Sequence, residues 1–151
     1  HVYILPTINC TLSDRIHNDA RSSIMLGEKM AKLCGHVLYN SAEFFAPELS
    51  KVEYFDQTIR ISLSKVQRGL VMFTNDPDDL GLLVEDEDGK VPIKQVNTCK
   101  DKASDLIITL ARSLIGSASI SYGWQANPTF TPIVDEITYL PVVSFYKHTI
   151  K

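Results

Sequence analysis

The stretch Ser13-Asp14-Arg15-Ile16-His17-Asn18 sets an acid three residues ahead of a histidine, on a polar loop between an apolar segment and a helix. A carboxylate at that spacing accepts a hydrogen bond from one imidazole nitrogen. The bond fixes the tautomer and steadies the imidazolium formed when the other nitrogen takes a proton. Upstream, Val2 to Ile8 is apolar and β-branched, broken by Pro6, and predicts a buried strand of a parallel sheet. Downstream, Gly27, Met30, Ala31, Cys34 and Leu38 recur at spacings of three and four and predict a helix with one apolar face. Asp19 suits the positive end of its dipole, Glu28 and Lys32 form an i,i+4 pair, and Asn40-Ser41 ends it before Pro47. Strand, loop and helix in this order read as the last unit of an α/β domain, which cannot close a core alone.

Beyond Pro47 the period changes from 3.6 to 2. Ile59, Ile61 and Leu63 alternate with Arg60, Ser62 and Ser64, the signature of a half-buried strand. Further strands are predicted at 69–73, 80–85, 91–96, 106–110, 118–122 and 140–146, with loops at 75–79 and 125–132. Asp88-Gly89 marks a hairpin. Short strands with frequent turns over roughly 95 residues predict a β-sandwich. The expected organisation is therefore an α/β end-piece over residues 1–40, a linker over 41–56 and an all-β sandwich over 57–151.

Composition narrows the function. Hydrophobic content of 44% and charge of 22% belong to a chain with a real core, and a net charge of −3 argues against a duplex-binding surface. No apolar run reaches the roughly 18 residues of a membrane span. His1-Val2-Tyr3-Ile4-Leu5 lacks a basic region and cleavage site, so it is no signal peptide; entering a strand at once, it leads us to expect that something upstream was removed. Cys10, Cys34 and Cys99 have no zinc-site spacing and are expected to be small buried hydrophobes, with at least one unpaired. Asn9-Cys10-Thr11 fits a glycosylation acceptor, a triplet that often arises by chance.

The candidate sites each have a plainer reading beside them. Asp14 or Asn18 capping the helix, with His17 a surface residue of its first turn, weighs about evenly against an acid–base pair. The pair's place beyond a buried strand is what raises the second reading, because ligands gather at the carboxyl ends of strands in open sheets. His1, His36 and His148 are read as surface residues. The run Glu85-Asp86-Glu87-Asp88 lacks the EF-hand pattern and is read as a solvated turn. Tyr122, Gly123 and Trp124 are either the end of a core strand or an aromatic platform for a sugar, the core strand taken first. No Gly-x-Ser-x-Gly elbow or Gly-Asp-Ser motif surrounds any serine, Ser117 after Gly116 included.

Pro6-Thr7-Ile8, Asp14-Arg15-Ile16-His17 and Leu26-Gly27-Glu28-Lys29-Met30-Ala31 together resemble the last block of the SGNH hydrolases, and in particular of the sialate O-acetylesterase-like carbohydrate esterases. That branch carries Asp-x-x-His and, some ten residues on, Leu-Gly-x-x-x-Ala on its final helix; Gly27 falls ten after His17. Tyr122-Gly123-Trp124 with Pro128, then Leu140-Pro141-Val142-Val143-Ser144-Phe145, is similar to the family's closing Tyr-Gly/Ala-Trp and Gly-Leu-Pro-x-x-Pro-Phe. Asn18, Tyr139 and Ser144 depart from the family pattern. The resemblance implies His17 as general base and acid and Asp14 as its orienter. It places the Ser nucleophile and oxyanion-hole donors before Val2, in an N-terminal SGNH part met as a partner. It further implies an O-acetylated glycan as substrate, no metal or cofactor, and an extracytoplasmic location, whether secreted, lysosomal or on a virion. The reading from another class is a non-catalytic glycan-binding or assembly module of a viral tail or secreted protein, in which Tyr122 and Trp124 act and His17 is incidental. A domain that only holds oligomers together is a third.

Overall fold

The computed structural model describes residues 2–125 and 131–150. His1, Pro128 and most of the irregular stretch read over 125–132 lie outside the described residues. What is described is mostly β-sheet with one α-helix, α1 (Ala20–Tyr39).

Ten strands follow the helix: β1 (Glu48–Phe55), β2 (Thr58–Ser64), β3 (Leu70–Val71), β4 (Leu82–Asp86), β5 (Gly89–Val91), β6 (Ile93–Thr98), β7 (Asp105–Leu110), β8 (Ser119–Tyr122), β9 (Val134–Asp135) and β10 (Phe145–Thr149). One four-stranded sheet has the order β1-β2-β7-β6, a second has β10-β8-β4-β5, and β3 pairs with β9. Every pairing is antiparallel. The alternation read in β2 is the observed one: Ile59, Ile61 and Leu63 are buried. Both four-stranded sheets feed one core, with Val52, Ile61 and Ile108 from the first meeting Val84, Val91 and Ile120 from the second.

Four sequence expectations are corrected here. β1 occupies half of the stretch read as a linker, its Val52 buried against β2 while Lys51 and Glu53 pair in solvent. The strand read at 91–96 is two strands: Pro92, lacking an N–H, breaks the ladder, so β5 stays with β4 while β6 joins β7 in the other sheet. The loop read at 75–79 contains a 3-10 turn, Pro77–Leu80, capped by Asp76. The strand read at 140–146 forms only at its end, as β10. Before it, Pro141 allows a single bridge to Val134, and Leu140 and Val142 turn inward.

The largest corrections lie near the N-terminus. Val2 to Ile8 has no ladder partner, and Val2, Tyr3 and Ile4 are exposed, while Leu5, Pro6 and Ile8 anchor the segment to the β-domain. A strand needs a neighbour for its N–H and C=O groups, and none of the described strands lies beside it. Helix α1 is capped by Asp19, whose carboxylate accepts from Ser22 N–H at 2.7 Å, and it ends at Asn40 in the left-handed region (φ 52°). Its apolar stripe, however, faces solvent. Gly27, Met30, Ala31, Cys34 and Leu38 are exposed, and the helix packs through Ser22, Lys29 and Leu33. Glu28 and Lys32 do not pair; Lys32 Nζ lies 5.7 Å from the Phe44 ring centre. None of Cys10, Cys34 and Cys99 is fully buried, and all three are free thiols.

A short clasp joins helix to sandwich. Phe44, Ala46 and Leu140 are buried together with Leu5, Leu33 and Val143 against them. Phe45 on the other side stacks on Tyr3 and meets the edge of His36 at 4.7 Å, so His36 is half-buried rather than a surface residue. Val143 N–H donates to Pro47 C=O at 2.9 Å, and Gln67 Nε2 to Glu43 C=O.

Two carboxylates tie the sandwich from within. Asp105 is buried where β2 meets β7 and receives Arg60 Nε at 2.7 Å, Ser62 Oγ at 2.9 Å and Lys102 Nζ at 2.9 Å. Burial works to raise its pKa, and these donors outweigh it and hold the group below its ordinary range. Asp86, read as part of a solvated turn, instead grips Arg112 through both guanidinium nitrogens and accepts Ile115 N–H at 2.9 Å. A folded-state pKa below the unfolded one gives stability that is complete above the unfolded value, about 4 for Asp. That stability is lost as pH falls through the folded value. Asp105→Ala should therefore cost about 1.5–3 kcal/mol in urea unfolding at pH 7, by removing the charged acceptor that Arg60, Ser62 and Lys102 share. The gap between variant and parent should shrink progressively below about pH 4.

Candidate active site

The loop ahead of α1 closes on itself before the helix begins. Leu12 bridges Asn18, and Ser13 N–H donates to His17 C=O at 2.8 Å. Thr11 Oγ1 hydrogen-bonds Asp19, and Thr11 N–H donates to Ser22 Oγ at 2.9 Å, so the loop is stitched to the first helical turn. Within it, Asp14 Oδ1 accepts the N–H groups of Ile16 and His17, both at 2.8 Å. That leaves Oδ2 aimed at His17 Nδ1, 2.7 Å away. Asp14 is thus fixed by the backbone it precedes, and it fixes the ring in turn.

The capping reading fails on this geometry, because Asp19 is the cap and His17 precedes the helix. The pair is open to solvent, with side chains 70% exposed for His17 and 54% for Asp14. Donation from Ile16 N–H, then from the His17 ring and backbone, holds the Asp14 carboxyl below its ordinary pKa, so it is ionised at neutral pH. An ionised Oδ2 accepts only, which selects the Nδ1–H tautomer and leaves Nε2 as the basic atom. Among the described residues no serine hydroxyl meets the ring: Ser13 Oγ donates to the His17 carbonyl instead, at 3.3 Å. Ser117 lies in a turn, where its N–H donates to Glu87 at 3.0 Å.

Asp14 lies on the wall of an open cleft of about 900 Å³. Arg15 and Ile16 line it beside Asp14, and so do Gly123 and Gln125 from the chain leaving β8. The cleft therefore joins the two halves of the chain. Gly123 takes a left-handed turn (φ 61°) and donates to Gly81 C=O at 3.0 Å, which sends the next residues toward the loop. Of the aromatic group read from the sequence, Tyr122 is core. It is fully buried, accepts Ile133 N–H at 2.9 Å, and burial pushes its hydroxyl pKa up. Trp124 is the exposed one. Arg15 and Gln125 were not singled out from sequence, and nothing in their spacing marks them.

No family model matches the chain, and no curated protein does. Among solved structures, a carbohydrate acetylesterase from Xanthomonas citri shares the fold, with a TM-score of 0.67 at 16% identity over 85% of this chain and 28% of that one. The N-terminal part of the bacterial S-layer protein SbsC superposes with a TM-score of 0.49 at 11% identity, over 88% of this chain and 28% of that one. The chain thus spans about 28% of the length of the esterase it resembles.

The Asp14–His17 bond makes a direct spectroscopic prediction. In long-range 15N–1H spectra above neutral pH, His17 should show the Nδ1–H tautomer. Asp14→Ala should return it to the Nε2–H form that free imidazole favours; an unchanged tautomer would mean the bond does not set it.

Proposed function

We propose that this chain is the C-terminal part of an SGNH-type carbohydrate O-acetylesterase, with Asp14 orienting His17 as general base and acid. In this reading residues 1–40 complete the esterase domain and the β-domain follows it. The observation that carries it is the 2.7 Å Asp14–His17 contact, whose Asp14 lines the cleft while His17 does not, in a fold shared with a carbohydrate acetylesterase.

The chemistry divides between two parts. A serine of the N-terminal part attacks the acetyl carbonyl while His17 Nε2 takes its proton, and backbone or side-chain donors of that part hold the oxyanion. Collapse breaks the bond to the sugar oxygen, which leaves with the proton from His17, and an acetyl-serine remains. His17 then takes a proton from water, the hydroxide attacks the acetyl group, and acetate departs as serine is reprotonated. Asp14 stays ionised throughout.

The unpaired apolar surface supports the division. Met30, Leu38 and Ile24 on α1, with Val2 and Ile4, are exposed large hydrophobics on the same N-terminal quarter of the chain. Lys29 Nζ is buried with no hydrogen-bond partner among the described residues, and burial pulls its pKa down. A second reading, a glycan-binding or assembly module without catalysis, is favoured by one observation, the exposed Trp124.

Co-purification from the native source distinguishes the two. A companion bearing a Gly-Asp-Ser block, with acetylesterase activity that His17→Ala lowers by about 10²- to 10⁴-fold, supports the esterase. A solitary chain, or activity indifferent to His17, leaves the binding module. Met30→Glu with Leu38→Glu should abolish association with the companion without lowering the melting temperature of the chain alone, since both side chains are already in water.

A further inference from the structure

Trp124 is 61% exposed and Tyr146 is 50% exposed, yet the two rings stack on each other with centroids 4.6 Å apart and planes 25° apart. Two large aromatic faces held together in water serve no core. The backbone is bent to produce the arrangement. Strand β10 pairs Phe145 with Tyr122 and then His148 with Ile120, so one extra residue bulges between them. The bulge puts Lys147 in the left-handed region (φ 46°), where a residue with a long side chain is strained, and its N–H is taken up by Ser121 Oγ at 2.9 Å. Tyr146 lies within this irregular stretch of β10 and stacks on Trp124.

The partner ring arrives by a second device. Trp124 follows the left-handed Gly123 and precedes Gln125, and both of these line the Asp14 cleft. Trp124 therefore sits in the chain between two residues of the cleft lining, which Arg15 shares.

We propose that Trp124 and Tyr146 form a stacking platform for a pyranose ring of the glycan, placing an adjacent sugar in the cleft. The face of a pyranose that carries axial C–H groups is apolar and suits an indole, while Gln125 and Arg15 offer donors to ring hydroxyls. The self-stacked pair is pre-ordered, so little rotamer entropy is lost when sugar binds. The identity of the glycan as an acetylated substrate rests on the esterase reading; the stacking itself does not.

The test titrates the 151-residue chain with soluble oligosaccharides and reads Trp124, its single tryptophan, by emission. The panel is xylo-, manno- and cello-oligosaccharides and sialyllactose, each with and without O-acetyl groups. At least one should give a saturable blue shift with a Kd of about 1 mM. Tyr146→Ala should weaken it about 10-fold, and Trp124→Ala should abolish the saturation-transfer NMR signal of the same sugar. His17→Ala should keep the emission shift, so a failed esterase reading and a failed platform are told apart. No shift with any sugar up to about 10 mM overturns the proposal. So does an NMR signal that survives Trp124→Ala, or a shift that follows protein rather than sugar concentration, which assigns the pair to contact between copies.

Discussion

Burial of Phe44 and Leu140 against Leu33 is the contact on which the site depends. The helix has no other large apolar cluster joining it to the sandwich among the described residues, and its start carries the loop with Asp14 and His17. That contact holds the helical end of the loop, while Ile8, packed on the main core, holds its other end beside the cleft that Gly123 and Gln125 line. The clasp is small, three buried residues and three half-buried ones, reinforced by the Val143–Pro47 hydrogen bond and by Phe45 between Tyr3 and His36. It is enough to hold a helix against a domain, and far less than the core that holds the two sheets together.

The energetic contrast between the two halves of the chain follows. The β-domain satisfies itself: its sheets share a core, and its buried carboxylate Asp105 is fully supplied with donors. The helical part does not. Its apolar stripe faces water, Lys29 Nζ and Asn9 Oδ1 are buried with no hydrogen-bond partner among the described residues, and Val2 and Ile4 are exposed. Leaving such groups open is costly, at several tens of calories per square ångström for the apolar surface and more for the polar atoms.

The site is built by local and distant means together. Asp14 reaches His17 through a turn that involves only neighbours in sequence, and the ionised carboxylate sets the tautomer by direct contact. The cleft needs residues more than a hundred positions apart. Tyr122 and Trp124 illustrate the difference. They are two apart in sequence and were read as one group, yet Tyr122 is fully buried with its hydroxyl on Ile133, while Trp124 is exposed. Gly123 turns the chain between them, so strand parity stops there.

What the sequence determined by itself is what depends on near neighbours. The Asp-x-x-His contact, the helix and its end at Asn40, the Asp88-Gly89 hairpin and the alternation of β2 were all legible, because spacing and local backbone preference set them. Only the tertiary structure decided the rest. A 3.6-residue stripe says that a helix has an apolar face, but which face is covered depends on what lies beside it. Here the clasp takes Leu33 and leaves Met30 and Leu38 in water. Val2 to Ile8 carries a strand's composition, but a ladder requires a neighbour that these residues do not contain. Pro92 sends one apolar run into two sheets, and β10 bulges against β8 where Tyr146 stacks on Trp124. Each depends on where a second strand has already been placed, which local spacing does not encode.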